Sequence, residues 1–235
     1  MLRTINSSEN GVQVAMRQLV SNNSGQIKIG HSYSGTGEKS LNVNEHLYIE
    51  GDKQNHVYFL LEGVVGTYKM MADGRRQIVG FVYPGDMLGF DHAETFSSSA
   101  EALSTCRVRC IPSSAIEKLM LNEPGFGQTV LRITSRELAD TRDLLVSLGK
   151  KSAMEKLSTF LLRISQRTET HGQLSNTINL PMKRGEIGDY LGLTIETVSR
   201  NFTKLKRSKV IELVSNSEVR INDIDALMEL AEGKR

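Results

Sequence analysis

The residues best suited to chemistry in this sequence lie in one basic stretch near its C-terminal end. Ser199 and Arg200 follow Glu196 by three and four residues, a spacing that puts all three on one face of a helix. Arginine can donate two hydrogen bonds to O6 and N7 of guanine, and glutamate can accept one from the amino group of cytosine. The stretch therefore predicts a surface that reads the edges of a G·C base pair.

Positive charge is concentrated around this face. Residues 151–210 contain eleven lysines and arginines against five acidic residues, a net charge of +6, while the whole chain of 235 residues carries only +2. A basic segment on an acidic body is typical of a module that binds nucleic acid, although a solvated charged surface would have the same composition. The cations predicted to contact DNA phosphates are Lys183, Arg184, Lys204, Lys206 and Arg207.

No other residue pattern predicts an enzyme or a metal site. The five histidines are scattered, and neither a serine–histidine–acid set nor a pair of catalytic carboxylates stands out. The glycine-containing segment 30–35 is followed by Thr36 instead of the lysine that a phosphate-binding loop requires. We therefore expect no catalytic residue and no bound metal, and we interpret the acidic segment around His92 as a surface loop.

A helix that reads base edges needs a preceding helix that holds it in place, and the sequence predicts both helices. Ile187, Tyr190 and Leu191 give a first short helix one apolar side. Gly192 can end that helix in a left-handed conformation, and Thr194 is suited to cap the next one. Two short helices joined by such a turn form a helix-turn-helix. The residues that the second helix is expected to bury are Ile195, Val198, Phe202 and Leu205.

Strand-like runs lie on both sides of the helical part of the chain. Residues 210–214 and 218–221, joined by a Ser-Asn-Ser turn, predict a two-stranded wing after the helix-turn-helix. Between Gln26 and about Cys110, short apolar runs alternate with turn signals such as Asp73-Gly74. Regularly spaced strands of this kind favour a sandwich, a roll or a barrel.

A long helical stretch connects these two parts. Leu131, Leu138 and Leu145 recur every seven residues within it, the spacing of a seam between two helices. Three heptads do not distinguish a dimer seam from ordinary core packing, and we favour a homodimer interface at these leucines.

Composition excludes several classes of protein. Hydrophobic residues make up 39% of the chain and charged residues 24%, which is ordinary for a globular protein. No apolar run reaches the roughly 18 residues that a membrane-spanning helix needs. Residues 1–25 lack the basic start and apolar centre of a signal peptide, so a cytoplasmic location is expected.

Three segments together carry the pattern of one protein family. They are Gly85-Asp86 followed by Leu88-Gly89-Phe90, then Cys110-Ile111-Pro112, and above all the run RGEIGDYLGLTIETVSR at residues 184–200. On these segments the chain resembles the CRP/FNR superfamily of bacterial transcription regulators, and within it the FNR/FixK branch.

The resemblance implies an α+β fold. It consists of an N-terminal β-roll of the jelly-roll type found in cyclic-nucleotide-binding domains, a long dimerisation helix and a C-terminal winged helix-turn-helix. The implied domains are an arm at residues 1–25, a β-roll at 26–122, the dimerisation helix at 123–150 and the DNA-binding domain at 151–235.

The same comparison indicates what the β-roll does not bind. Relatives that bind cyclic AMP hold its phosphate with a Gly-Glu and an Arg-Ser pair, whereas this chain has no lysine or arginine between Arg76 and Arg107. FNR-type sensors hold an iron–sulfur cluster with four cysteines, and here only Cys106 and Cys110 exist, of which Cys110 matches the internal ligand. Two thiols four residues apart on a strand would be about 13 Å apart, too far for a disulfide. We expect no cofactor and two core thiols.

The resemblance extends to the DNA site. The FNR branch carries Glu-x-x-Ser-Arg on its reading helix, as Glu196, Ser199 and Arg200 do, and this implies inverted repeats of the type TTGAT-N4-ATCAA. Ile195 stands where the cyclic-AMP branch has arginine, and its apolar side chain suits a thymine methyl group.

The implied function is that of a homodimeric activator that works with RNA polymerase on genes of low-oxygen respiration, nitrogen fixation or denitrification. One alternative is a ligand-responsive regulator whose β-roll binds haem, nitric oxide or a metabolite. Whether the protein activates or represses a given promoter stays open at this stage.

Overall fold

The computed structural model describes residues 36–91, 94–122, 124–167 and 176–234, which fall into two compact units. The first unit comprises the described residues up to Met70 together with Val79–Glu137. The second comprises Met71–Ile78 and the described residues from Leu138 onward. The predicted arm at residues 1–25 lies outside the described residues, and the other domain boundaries stay predictions.

Short strands account for most of the N-terminal half of the chain. They are β1 (Gly37–Leu41), β2 (His46–Tyr48), β3 (His56–Glu62), β4 (Val65–Met70), β5 (Arg76–Val82), β6 (Met87–Leu88), β7 (Ser99–Ala102) and β8 (Cys106–Pro112). They form two four-stranded sheets, ordered β1-β8-β3-β6 and β2-β7-β4-β5. Neighbours in each sheet are mostly distant in sequence, as expected for a roll. The predicted α+β fold with an N-terminal β-roll is therefore confirmed.

The core of the first unit takes apolar side chains from both sheets. Leu60 of β3 and Val65 of β4 belong to one buried cluster, and neither is exposed to solvent. Aromatic rings pack in the same cluster, where Tyr48 and Phe96 stack with their ring centroids 3.8 Å apart. Tyr58 lies beside both rings, with its centroid 5.7 Å from that of Tyr48 and 6.3 Å from that of Phe96. Stacked rings thus fill part of the roll interior.

Both cysteines lie on β8, as the sequence predicts. Cys106 and Cys110 are four residues apart on this strand, so both side chains point to the same face. Cys106 is buried, and its thiol donates to the carbonyl oxygen of Val64 at 3.3 Å. Cys110 is only half-buried, so the expectation of two core thiols holds fully for Cys106 alone. Burial raises the pKa of both thiols.

Two helices follow the last strand of the roll. The first is α1 (Ser113–Asn122), which places Ala115 and Ile116 in a buried cluster with Val57 and Ile111. The second is α2 (Pro124–Lys150), which is 27 residues long. Proline suits the first turn of a helix, where its missing N–H would have no partner, so Pro124 starts α2. The long helical stretch predicted from the sequence is confirmed.

The second unit contains the C-terminal elements. They are α3 (Ala153–Arg167), β9 (Thr177–Asn179), α4 (Arg184–Leu191), α5 (Ile195–Arg207), β10 (Ile211–Leu213), β11 (Glu218–Ile221) and α6 (Ile224–Ala231). The apolar sides of α3, α4 and α5 meet in a core that includes Leu157, Ile187 and Val198, each with no exposed surface. This arrangement confirms the predicted helix-turn-helix.

The wing differs from the prediction in the number of its strands. Its sheet has three strands in the order β10-β11-β9 instead of two. Ile178 of β9 lies opposite Val219 of β11, and both side chains are buried. Residue types alone do not indicate that a strand at Ile178 pairs with one some 40 residues later in the chain.

A last helix, α6, was not predicted from the sequence. Asp223 caps it by accepting a hydrogen bond from the N–H of Ala226 at 2.9 Å, and Leu227 has no exposed surface. The helix packs on α3. Within the described parts of the chain, no helix has the length and apolar character needed to cross a membrane.

Candidate nucleic-acid interface

The turn between α4 and α5 follows from two residues that the sequence singles out. Gly192 ends α4 with a φ of 62°, a left-handed conformation that glycine adopts without steric cost. Thr194 caps α5 by accepting a hydrogen bond from the N–H of Thr197 at 3.3 Å. Gly188 lets the turn approach α4 closely, since a Cβ atom there would lie 2.6 Å from the carbonyl oxygen of Leu193. Both local predictions, the turn and the cap, are confirmed.

One side of α5 is buried and the opposite side is exposed. Val198, Phe202 and Leu205 are buried, as predicted. Asn201 is also buried, although its polar side chain gave no such indication. The exposed residues of the helix include Glu196, Ser199, Arg200 and Thr203. Three of the four residues predicted to read bases, Glu196, Ser199 and Arg200, therefore share one solvent-facing surface near the start of α5.

Ile195 corrects one expectation. The prediction that α5 buries this side chain is wrong, since Ile195 is 50% exposed. It is the first residue of the helix, so the buried side of α5 begins only one turn later, at Val198. Its exposure is what a contact with a thymine methyl group requires, and that contact stays a prediction.

The ionisation of Glu196 depends on groups in the first turn of α5. The pKa of the Glu196 carboxyl lies below its ordinary value, chiefly because its own backbone N–H hydrogen bonds to it. The positive charge of Arg200 acts in the same direction. Glu196 is therefore ionised at neutral pH and can act only as an acceptor, as contact with a cytosine amino group requires.

The exposed basic residues lie on both flanks of the reading surface. Lys204 and Lys206 are two residues apart, which separates them by about 200° around the helix axis. Both are exposed, as are Lys183 and Arg207. When the surface around Glu196 faces a groove, these two lysines point towards its opposite walls.

Arg184 has a different environment from the other predicted phosphate contacts. Its guanidinium carbon lies 3.3 Å from the centre of the Phe202 ring, a cation–π contact between α4 and α5. Burial lowers the pKa of Arg184 to about 10, so the group stays charged at neutral pH. This stacking was not predicted from the sequence, and it favours a role of Arg184 in stability over the phosphate contact predicted for it.

The leucines of the predicted dimer seam are exposed on α2. Leu131, Leu138 and Leu145 are 68%, 49% and 69% exposed, and Val146 beside them is 60% exposed. Large apolar side chains repeated along one helix and left in water are typical of a surface that a partner covers.

Comparison with known proteins agrees with both halves of this fold. A family model described as a cyclic nucleotide-binding domain matches residues 38–123, and one described as a Crp-like helix-turn-helix domain matches residues 155–230. Nitrogen fixation regulation protein FixK of Bradyrhizobium diazoefficiens is 41% identical over 170 residues, which cover 72% of each chain. Transcriptional activator protein FnrA of Stutzerimonas stutzeri is 36% identical over 83% of this chain and 80% of its own.

A solved structure has a similar fold. The structure of FixK2 from Bradyrhizobium japonicum superimposes with a TM-score of 0.78 at 33% sequence identity, over 83% of this chain and 96% of that one. The similarity thus extends over most of the chain.

Proposed function

Since the chain belongs to the CRP/FNR family of transcription regulators, we propose that it binds inverted repeats of the type TTGAT-N4-ATCAA as a homodimer and activates transcription without a cofactor. The observation that carries this proposal is the exposed surface of Glu196, Ser199 and Arg200 at the start of α5. Two of the relatives are named nitrogen fixation regulation proteins, which favours target genes of nitrogen fixation. The family resemblance also favours genes of low-oxygen respiration or denitrification. RNA polymerase is the proposed partner at the promoter.

Base reading follows from the position of these side chains. A helix-turn-helix inserts the N-terminal part of its second helix into the major groove, where Arg200 can donate to guanine O6 and N7. Glu196, one turn earlier, can accept from a cytosine amino group on the other strand. Ile195 at the first position can contact a thymine methyl group. Such a set suits the TTGAT half-site, which contains one G·C pair among A·T pairs.

Phosphate contacts supply affinity without sequence information. Lys204 and Lys206 on the two flanks of α5 are proposed to contact the two strands that border the groove. Lys183 and Arg207 add positive charge at the start of α4 and at the end of α5.

The dimer is proposed to form through α2. Two copies of the exposed leucine row would cover each other, with Leu138 near the middle of the seam. A two-fold dimer presents two copies of α5 to successive major grooves about 34–36 Å apart, which is why the proposed site is an inverted repeat.

The cofactor-free proposal is supported by the interior of the roll. Phe96 belongs to the segment that holds the phosphate in cyclic-AMP-binding relatives, and here it is 3% exposed and stacked on Tyr48. A buried cyclic phosphate would need a cation or several donors. The sequence has no lysine or arginine from Gln77 to Cys106. The alternative, a β-roll that binds haem, nitric oxide or a metabolite, is tested by the absorbance spectrum and native mass spectrum of the purified protein.

Arg200→Ala tests the DNA-reading proposal. The binding free energy of the variant on a TTGAT-type site should weaken by about 1–3 kcal/mol. The variant should also lose its preference for guanine over other bases at that position. Lys206→Ala is the matched control, because it also removes one positive charge from α5 but should weaken all DNA sequences alike. Fluorescence anisotropy on the TTGAT site and on sites with the guanine replaced measures both effects. If Arg200→Ala keeps full discrimination at that guanine, the reading surface is wrongly assigned.

A further inference from the structure

The first turn of α5 contains a chain of hydrogen bonds that the DNA-reading proposal does not use. Thr194 Oγ1 accepts from the N–H of Thr197 and donates to Thr197 Oγ1, at 3.3 and 3.1 Å. Nη2 of Arg200 donates to the same Thr197 oxygen at 3.4 Å. The hydroxyl of Thr197 therefore lies between the helix cap and the arginine that is proposed to read guanine.

The acceptor in these hydrogen bonds, the hydroxyl oxygen of Thr197, is itself held in place. Thr197 is half-buried, and both its N–H and its hydroxyl are hydrogen bonded to Thr194. As a β-branched residue it also has few side-chain rotamers in a helix. Arg200 is exposed, and a long exposed arginine loses conformational entropy when a base orders it. A fixed acceptor one turn earlier reduces that loss.

The chemistry of the acceptor suits a reading residue. Arginine has five N–H donors, so a single bond to Thr197 leaves four for O6 and N7 of guanine. Glu196, four residues before Arg200, could instead form an ion pair with it. Neither side chain would then be available to contact a base. The hydrogen bond present in the structure goes to the neutral hydroxyl of Thr197. Both charges then remain available for bases.

We propose that Thr197 is a positioning residue that holds Arg200 in the orientation needed to read guanine, and that it is thereby a determinant of sequence specificity. This inference rests on the proposed function, because it requires Arg200 to contact a base. Thr197 acts through Arg200 and does not itself contact the guanine.

The test compares variants at position 197 on two DNA sites. Thr197→Val removes the hydroxyl and keeps the branched shape, so the affinity ratio between the TTGAT site and a site with the guanine replaced by adenine should fall roughly three- to tenfold. Thr197→Ser keeps the hydroxyl and should restore the ratio. Thr203→Val is the control, since its hydroxyl donates to the carbonyl oxygen of Ser199 at 3.0 Å and not to Arg200. If valine disturbs folding, Thr197→Ala should give the same loss.

The double variant separates this inference from the proposed function. In an Arg200→Ala background, Thr197→Val should cause no further loss of discrimination, because the residue that it positions is gone. A Thr197→Val protein that binds both DNA sites equally less tightly, with an unchanged ratio, would show a phosphate contact and overturn the inference while leaving the proposed function intact. Full discrimination by Arg200→Ala alone would overturn both.

Discussion

Replacing Arg184 by alanine should destabilise the DNA-binding unit without changing how its DNA affinity depends on salt. Arg184 opens α4, and its guanidinium stacks on Phe202 of α5, so it joins the two helices whose relative position sets the reading surface. A cation that contacts an aromatic ring in this way contributes to folding. A cation that contacts a phosphate contributes to binding and to its salt dependence.

The magnitudes separate the two roles. A cation–π contact is worth about 0.5–1 kcal/mol at exposed sites and about 2 kcal/mol when desolvated. Arg184 is half-buried, and alanine would also remove the packing of its aliphatic stem, so we expect a loss of about 1–2 kcal/mol. For a domain of 60–100 residues, each kcal/mol lowers Tm by about 4–8 °C. A phosphate contact would instead add about 0.9 to the slope of log affinity against log salt.

Calorimetry and salt titration on the same variants decide between these roles. Arg184→Ala should lower Tm and keep the salt slope, while Lys206→Ala should keep Tm and lower the slope by about 1. Arg184→Lys keeps the charge but not the planar group that stacks on the ring, so it should recover only part of the lost stability. An unchanged Tm together with a reduced slope for Arg184→Ala would refute the stacking role and favour the phosphate contact.

Three further predictions concern the dimer, the thiols and acid stability. Leu138→Glu should give monomers at micromolar concentration in sedimentation velocity, because two unpaired carboxylates in the seam cost several kcal/mol; a variant that stays dimeric would contradict the seam. Replacing Cys106 and Cys110 by serine should keep DNA binding in reducing buffer, and a folded double variant that no longer binds would require a thiol-dependent mechanism. Hydrogen bonds from Arg109 lower the pKa of Glu38, so the stability that Glu38 provides is present at neutral pH and lost as the pH falls below the ordinary glutamate pKa. The difference in urea stability between wild type and Glu38→Gln should therefore shrink in acid, and a constant difference would contradict this role.

Features that depend on neighbouring residues were the ones the sequence predicted well. Gly192 and Thr194 act within one or two turns of the helices that they end and begin, so their chemistry is readable without tertiary structure. The seven-residue spacing of the α2 leucines is likewise local, and it gave the long helix and its exposed apolar row. The family resemblance implied the fold class, and these local signals agreed with it.

Features that depend on distant contacts were missed or misjudged. Ile195 fits the apolar period of α5, and periodicity alone does not reveal that its position at the helix start leaves it uncovered. Ile178 pairs with Val219 only because the fold brings β9 beside β11. A strand-forming pattern predicts that a segment can pair, but its partner is set by packing elsewhere in the chain.

The candidate site shows why composition predicted a DNA surface but not its internal division of roles. Charge and exposure favour a phosphate contact for every cation near α5, and the sequence treats Arg184 and Lys206 alike. The structure separates them, since Lys206 is exposed while Arg184 is half-buried against a ring 18 residues later. Thr197 is a second case, because a residue that the sequence analysis did not single out is hydrogen bonded to Arg200. In both cases the role depends on which side chain lies within reach. That depends on how α4 packs against α5 and on the side-chain rotamers of α5. Residue types alone determine neither of these.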